Sequence, residues 1–362
     1  MACPTGSHAA RATEKGLKQS EKEAVQIVLR IAIVGLGVAG SYLAYQLRDQ
    51  HKVVAFDKMP ASKFDAVCAW GTSKNGIAKF AKDCGLNFED YIMHTGERML
   101  VDIGKETFDI PLKGLVCFDK LKFIQDSADK PETHFGSWVN RSNFKNDFDM
   151  VVDATGLSRP LLPRINNDQL VPCVQYKVKY KDPPFDDFYI KPFDDLDGYF
   201  WYFPLGNGYA HVGAGDSKKR YIEFLHRFLK EHDGQVISKT GRPVRITPPT
   251  MCEPFFDGNV VGVGESIGTV YSFLGEGIIP SLQCASLFKD NVENMGAYRA
   301  QVLQHFKIYE TVYKFIKAKI EGNFDMKTQF FGLMSMFFHM KFNEKRYGLE
   351  IRLSDMLKVL RA

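Results

Sequence analysis

The chain has 362 residues, enough for a substantial core arranged as two domains or as one domain with an insertion. Lys and Arg number 47 against 43 Asp and Glu, and the formal charge of +4 is carried without a basic block, which argues against nucleic acid as a partner and leaves at most weak attraction to anionic lipid. Seven cysteines (Cys3, Cys68, Cys84, Cys117, Cys173, Cys252 and Cys284) form no C-x-x-C pair and no cluster with histidine, which argues against a metal centre and for reduced thiols in a cytosolic protein.

Residues 1–29 are polar up to Val25, without the apolar core of a signal peptide or a membrane span, and are expected to form a flexible tail. Then comes RIAIVGLGVAG. Residues 31–34 make a short buried strand, Gly35, Gly37 and Gly40 have the G-x-G-x-x-G spacing, and 41–47 continue as an apolar helix. Gly35 permits the tight turn, Gly37 lets the backbone approach a pyrophosphate, and Gly40 lets strand and helix pack closely, so a dinucleotide's phosphates would sit at the positive end of the helix. Residues 52–56 (KVVAF) form a second strand that ends in Asp57, a carboxylate placed to accept from a ribose 2′-hydroxyl.

Residues 76–88 are expected to hold a short helix closed by Gly85, followed by strands at 98–103, 107–110 and 133–140 with a helix over 121–128. DMVVDATG at 149–156 is another apolar strand ending in a small-residue turn, and Pro160 and Pro163 prevent a helix from following. Residues 171–181 alternate apolar and charged side chains, and 198–215 form a hairpin turning at Asn207-Gly208, so this stretch predicts a separate antiparallel sheet. A helix over 217–232 and a proline-rich connection lead to NVVGVGESIGTVYSFLGEGI at 259–278, a second strand with glycine turns. Two such turns so far apart suggest a chain that folds back around one large cofactor. The fold class expected is α/β, with a Rossmann-like nucleotide-binding domain over 30–164 and 255–297, an inserted antiparallel-sheet substrate domain over 165–254, and a helical region over 298–362.

Taken in this order, the motifs resemble the FAD-binding fold shared by p-hydroxybenzoate hydroxylase, lycopene cyclases and geranylgeranyl reductases, and within it most resemble the geranylgeranyl reductases. YFWYFP at 199–204 fits that family's Y-x-W-x-F-P signature, FLGEGIIP at 273–280 resembles its T-G-G-G-I-x-P segment with Leu274 in place of threonine, and FDAVCAWGTSKNG at 64–76 resembles the segment that places a cysteine near the flavin. FDKLKFIQDSA at 118–128 is similar to a stretch in which arginine is usual where Lys120 stands, a change that keeps charge and loses the bidentate fork. Gly264-Glu265 stands where the family has Gly-Asp.

The resemblance implies FAD as cofactor, with Gly35, Gly37, Val38, Ala39 and Gly40 at the pyrophosphate and Asp57 and Lys58 toward the ribose. It also implies that Ala69, Lys120, Asp153, Gly156, Gly264 and Glu265 lie along the cofactor and that Gly275, Gly277 and Ile278 present backbone amides and a helix terminus to the flavin ring. Tyr199, Trp201, Phe203 and Pro204 would bind substrate, and the stripe Tyr199, Trp201, Phe203 lies on one face of a strand, able either to wall an apolar tunnel or to be the buried face of a sheet. Cys68 inherits the position of a catalytic thiol near the flavin. The activity implied is reduction of carbon–carbon double bonds in geranylgeranyl chains of membrane lipid precursors, with an external electron donor left open among NAD(P)H, ferredoxin and quinol. The alternatives are a flavin-dependent monooxygenase and a non-catalytic isoprenoid-binding protein on the same fold. QFFGLMSMFFHMKF at 329–342 is too short to span a bilayer and could lie in its interface or pack as a core helix, so the expected location is cytoplasmic with peripheral contact to the cytoplasmic membrane face.

Overall fold

The protein is described from a computed structural model covering residues 27–128, 131–144 and 147–360; the expected tail falls outside these residues except for 27–29. The apolar strand Arg30–Val34 sits in the middle of a six-stranded sheet between Lys52–Asp57 and Met150–Asp153, parallel to both. Val260–Gly262 extends this sheet beside Met150–Asp153, so the late glycine segment returns to the same sheet as the early one. Glu132–Phe135 closes the other edge, shorter than the expected 133–140 because Gly136 at φ +69° turns the chain away. The helix Val38–Leu47 covers one face, buried almost all round, and packs against the helix Ile278–Lys289.

A seven-stranded sheet stands beside it, in which Cys173–Lys179, Tyr209–Asp216, Gly198–Gly206 and Phe188–Pro192 run antiparallel. Its hairpin turns at Asn207 (φ +50°) and Gly208 (φ +74°), the left-handed pair that matches strand twist in a two-residue turn. Arg98–Asp102 and Thr107–Pro111 join this sheet through parallel pairing of Met99–Val101 with Phe188–Ile190. The nucleotide-binding unit expected over 30–164 therefore shares two strands with the inserted sheet, a pairing of segments some ninety residues apart that local sequence does not encode. The helix Tyr221–Glu231 lies on one face of the sheet, with Phe224 and Phe228 against Phe200 at ring distances of 4.9 and 4.7 Å.

The helix Lys74–Asp83 begins two residues before the expected 76–88 because the Ser73 hydroxyl accepts from the Gly76 amide and caps it there. The C-terminal helices Lys307–Ile320 and Met326–Phe342 pack on each other, and the last segment is sewn to the large sheet: the Lys113 amide donates to Gly348 (2.7 Å) and the Glu350 amide to Pro111 (2.9 Å).

Candidate cofactor and substrate site

One cavity of about 1100 Å³ runs between the two sheets and beneath the C-terminal helices. At one end is the first glycine turn, whose three glycines differ in what surrounds them. Gly35 has φ +95°, and a Cβ there would stand 2.7 Å from the Ala154 carbonyl oxygen; a Cβ on Gly40 would stand 1.9 Å from the carbonyl oxygen of Gly35. A Cβ on Gly37 would meet nothing within 4 Å, and Gly37 lines the cavity with Gly35, Val38 and Ala39. Gly40 is buried and does not reach the cavity. No side chain caps the helix that begins after Gly37, so its first amides and the positive end of its dipole are free for an anion. Open space, free donors and a backbone without side chain together fit a pyrophosphate.

Asp57 lines the same end, its carboxylate fixed by the amides of Leu36 (2.9 Å) and Met59 (2.8 Å), one on each oxygen. Each oxygen keeps a lone pair for a ribose hydroxyl. Lys58 lines the wall with its ammonium 5.6 Å from the ring centre of Trp138, which is 81% exposed at the cavity mouth.

Midway, the two later turns meet the first. Asp153 is fully buried outside the wall, where it accepts from the hydroxyl and amide of Thr155 and from the amide of Leu161; it shapes the turn that carries Gly156 to the cavity. Gly264 also stays behind the wall, packed so that a Cβ would sit 3.3 Å from the Ala39 methyl, which brings the late turn directly against the early one. Glu265 does line the cavity, but its longer side chain reaches back: Oε1 accepts from the Arg245 amide at 3.1 Å, and Oε2 lies 3.6 Å from Arg242. Arg245 is buried, paired through two nitrogens with Asp168 and donating to the carbonyls of Glu265 (2.8 Å) and Leu157 (3.0 Å), so it locks the two turns together. Lys120, at the start of the helix Lys120–Ser127, lines the cavity as well.

The far half of the cavity is apolar. Strand alternation sends Tyr199, Trp201 and Phe203 into it and Phe200 and Tyr202 into the core under the helix Tyr221–Glu231. Pro204 follows the parity of Phe200 and Tyr202; it is buried and does not reach the cavity, which separates it from the other three members of its signature. The Tyr199 hydroxyl donates to the Leu274 carbonyl at 2.7 Å and would lie 3.3 Å from a Cβ on Gly275, so the aromatic stripe and the late loop touch. Gly275, Gly277 and Ile278 line the cavity where the helix Ile278–Lys289 begins, again without a side-chain cap.

Cys68 and Ala69 line the cavity near the aromatic stripe. Gln175 connects the two: its Nε2 donates to the Cys68 carbonyl at 2.9 Å while its Oε1 accepts from Trp201 Nε1 at 3.3 Å. A second thiol, Cys173, lines the wall too, and burial pushes it up to about 12. Met340, from the 329–342 segment, lines the far end, whereas sequence reasoning missed Gln175, Arg242, Cys173 and the closing contribution of Arg346, Tyr347, Leu349, Ile351 and Met356. Glu265 was visible in the sequence only as a departure from the Gly-Asp expected there. Among the described residues no group of His, Cys, Asp or Glu is arranged to hold a metal ion, and no helix is long and apolar enough to cross a membrane.

No family model matches the chain. A digeranylgeranylglycerophospholipid reductase of Methanothermobacter thermautotrophicus is 34% identical over 125 residues, 33% of this chain and 32% of that protein, and one of Methanopyrus kandleri is 23% identical over 301 residues, 71% and 75%. The chain thus spans about a third of the length of the first of these relatives. Among solved structures, a geranylgeranyl bacteriochlorophyll reductase-like protein of Thermoplasma acidophilum superposes with a TM-score of 0.68 at 18% identity, covering 92% of this chain and 96% of that one. A probable FAD-dependent monooxygenase from Pseudomonas aeruginosa follows with a TM-score of 0.62 at 16% identity, covering 85% and 100%. In sequence the chain is thus similar over part of its length to digeranylgeranylglycerophospholipid reductases, and its fold is the one these FAD-dependent oxidoreductase-like structures share.

Proposed function

We propose that the protein binds FAD and reduces carbon–carbon double bonds of geranylgeranyl chains carried by lipid precursors. The observation that carries this reading is the continuity of one cavity from the free helix terminus at Gly37, past Asp57 and the Gly275–Gly277 turn, to the wall of Tyr199, Trp201 and Phe203. Val38 and Ala39 would join Gly37 at the pyrophosphate, Lys58 and Asp57 would hold the adenosine ribose, and Gly156, Glu265, Ala69 and Lys120 would flank the remainder. The chemistry that FAD supplies when bound and reduced is hydride donation to one alkene carbon. The chain's own part is to orient both partners and to exclude water: the amides at the start of the helix Ile278–Lys289 favour negative charge on the ring edge they face, and the aromatic stripe confines an apolar chain beside it. Cys68, in the cavity wall and joined to that stripe through Gln175, is the proposed donor of the proton to the other alkene carbon.

The helix Met326–Phe342 supports contact with a lipid surface. Its inner side gives Met340 to the cavity, while Phe331 and Phe342 are 81% and 82% exposed on its outer side beside Lys327, Lys341 and Lys345. A lipid-borne substrate would then enter from a cytoplasmic membrane face to which the protein adheres peripherally.

The test is an absorbance spectrum of the purified protein with added FAD, anaerobic reduction by light or dithionite, and mass analysis of a geranylgeranyl lipid for the gain of two hydrogens per bond. A flavin spectrum with donor-coupled oxygen consumption and an oxygenated product would favour monooxygenation instead. Protein that stays colourless with FAD would leave only isoprenoid binding.

A further inference from the structure

Glu276 stands in the late glycine segment at a position where T-G-G-G-I-x-P has its middle glycine, and a carboxylate there has been taken out of water. It is held by a short bridge in which the Tyr271 amide donates to the Glu276 carbonyl at 2.9 Å. Its Oε2 accepts from Arg346 Nη1 at 2.5 Å, a contact made across seventy residues by the short helix Glu344–Tyr347. That helix is fixed independently of the pair: the Ser73 hydroxyl donates to the Lys345 carbonyl at 2.5 Å, and a Cβ on Gly76 would stand 3.0 Å from the Arg346 carbonyl oxygen. Both charged side chains line the cavity and keep only 16% and 17% of their surface, among Val270, Ile278, Met340 and Tyr347.

The pair is half satisfied. Glu276 Oε1 and Arg346 Nη2 are buried without a hydrogen-bond partner among the described residues, and so are the hydroxyls of Ser272 and Thr72 in the same wall. The Ile279 amide lies near the carboxylate without closing a hydrogen bond to Oε1. Burial raises the Glu276 carboxyl above its ordinary value and the neighbouring guanidinium draws it back in part; the guanidinium in turn is held protonated by the carboxylate. A buried ion pair with spare valence on both members is costlier than an apolar contact of the same shape, so its retention in a cavity wall points to a ligand that completes it. The terminal torsion of a glutamate is broad and two-fold, so either oxygen can turn to that ligand. The pair has no net charge, and it offers a donor beside an acceptor. Its complement is a neutral group that presents an acceptor and a donor side by side, and an anion is disfavoured by the carboxylate.

We infer that Glu276 and Arg346 form a polar recognition site inside the cavity for a neutral group carrying adjacent hydrogen-bond acceptor and donor atoms. This rests on the proposed function, under which that chemistry has two sources: the imide edge of the flavin, a carbonyl beside an N–H, or a hydroxyl on the isoprenoid lipid. The site is distinct from the phosphate turn and joins the C-terminal helices to the binding of either ligand.

The test uses the full chain and the double variant Glu276→Leu, Arg346→Met, which replaces the pair by apolar side chains of similar size and should unfold at no lower a temperature than the parent. FAD, FAD methylated at the imide nitrogen, and geranylgeraniol are titrated separately by fluorescence and calorimetry. Loss of two hydrogen bonds predicts an affinity about tenfold to a hundredfold weaker for the ligand that the pair recognises. If FAD weakens by this factor, geranylgeraniol is unchanged, and methylated FAD binds parent and variant alike, the imide edge is the ligand. If geranylgeraniol weakens and FAD does not, it is the lipid hydroxyl. Equal binding of FAD and geranylgeraniol by parent and variant overturns the inference. A parent protein that takes up no FAD instead defeats the proposed function, and the geranylgeraniol arm still decides the role of the pair.

Discussion

The two ends of the cavity are built by different means. The glycine end is local: Gly35, Gly37, Gly40 and Asp57 lie within 23 residues, and each is set by the sterics of a strand, a turn and a helix terminus. The far end is assembled at long range, with Tyr199 and Trp201 from a sheet, Gly275 from a loop, and Arg346 and Tyr347 from a short C-terminal helix. Local construction tolerates almost no added atom in its supports, whereas the assembled end depends on pairings such as Glu276 with Arg346 that a single strand or helix could not supply.

That contrast breaks most sharply at the glycines. Gly40→Ala forces a methyl to within 1.9 Å of a backbone oxygen and is expected to cost about 3 kcal/mol in thermal or denaturant unfolding of the ligand-free protein. Gly37→Ala enters open space, should leave ligand-free stability within about 0.5 kcal/mol, and should instead weaken FAD binding. Equal stability losses in the two would mean that the glycines do not divide into support and contact.

At the assembled end, Cys68→Ala is expected to lower the rate of alkene reduction about a hundredfold with FAD affinity unchanged, as for loss of a proton donor. A variant that turns over as fast as the parent removes Cys68 from the reaction. A smaller effect is expected from the seam that holds the C-terminal segment. Burial alone would push the Glu344 carboxyl up, but Lys113, Lys341 and the Ile351 amide bring it down from an ordinary 4.5 to about 2. Because its folded value is depressed, its stabilisation is complete above pH 4.5 and is lost as pH falls through 2. The gap in melting temperature between the parent and Glu344→Gln should therefore be widest near neutrality and close on acidification; a gap that widens in acid would contradict the seam.

The mildest change is on the surface. Phe331→Ser with Phe342→Ser removes two exposed rings and should leave melting unchanged while reducing co-sedimentation with anionic vesicles. Unchanged co-sedimentation would take this helix away from the lipid.

Much of the site was legible because its rules are short in range. The glycine spacing, the acidic end of the second strand, the Asn207-Gly208 turn and the single face shared by Tyr199, Trp201 and Phe203 all follow from steric limits or from a period of two. The same period assigns Pro204 to the opposite face, and only its membership in a motif hid this. Glu265 was visible as a departure, but its turn toward the Arg245 amide depends on a strand twenty residues before it. Gln175, Arg242 and Arg346 carried no local mark, since nothing near them in sequence requires a polar side chain there. The joining of Arg98–Asp102 to Phe188–Pro192 is equally a matter of tertiary pairing.

The cavity wall begins at Val34 and is not complete until Val359. During synthesis the amino-terminal turn leaves the ribosome first and the closing helices last. Under the proposed function cofactor capture would trail translation, and a nascent chain stalled before Val359 would expose both the uncapped glycine turn and an apolar trough to whatever else the cell offers.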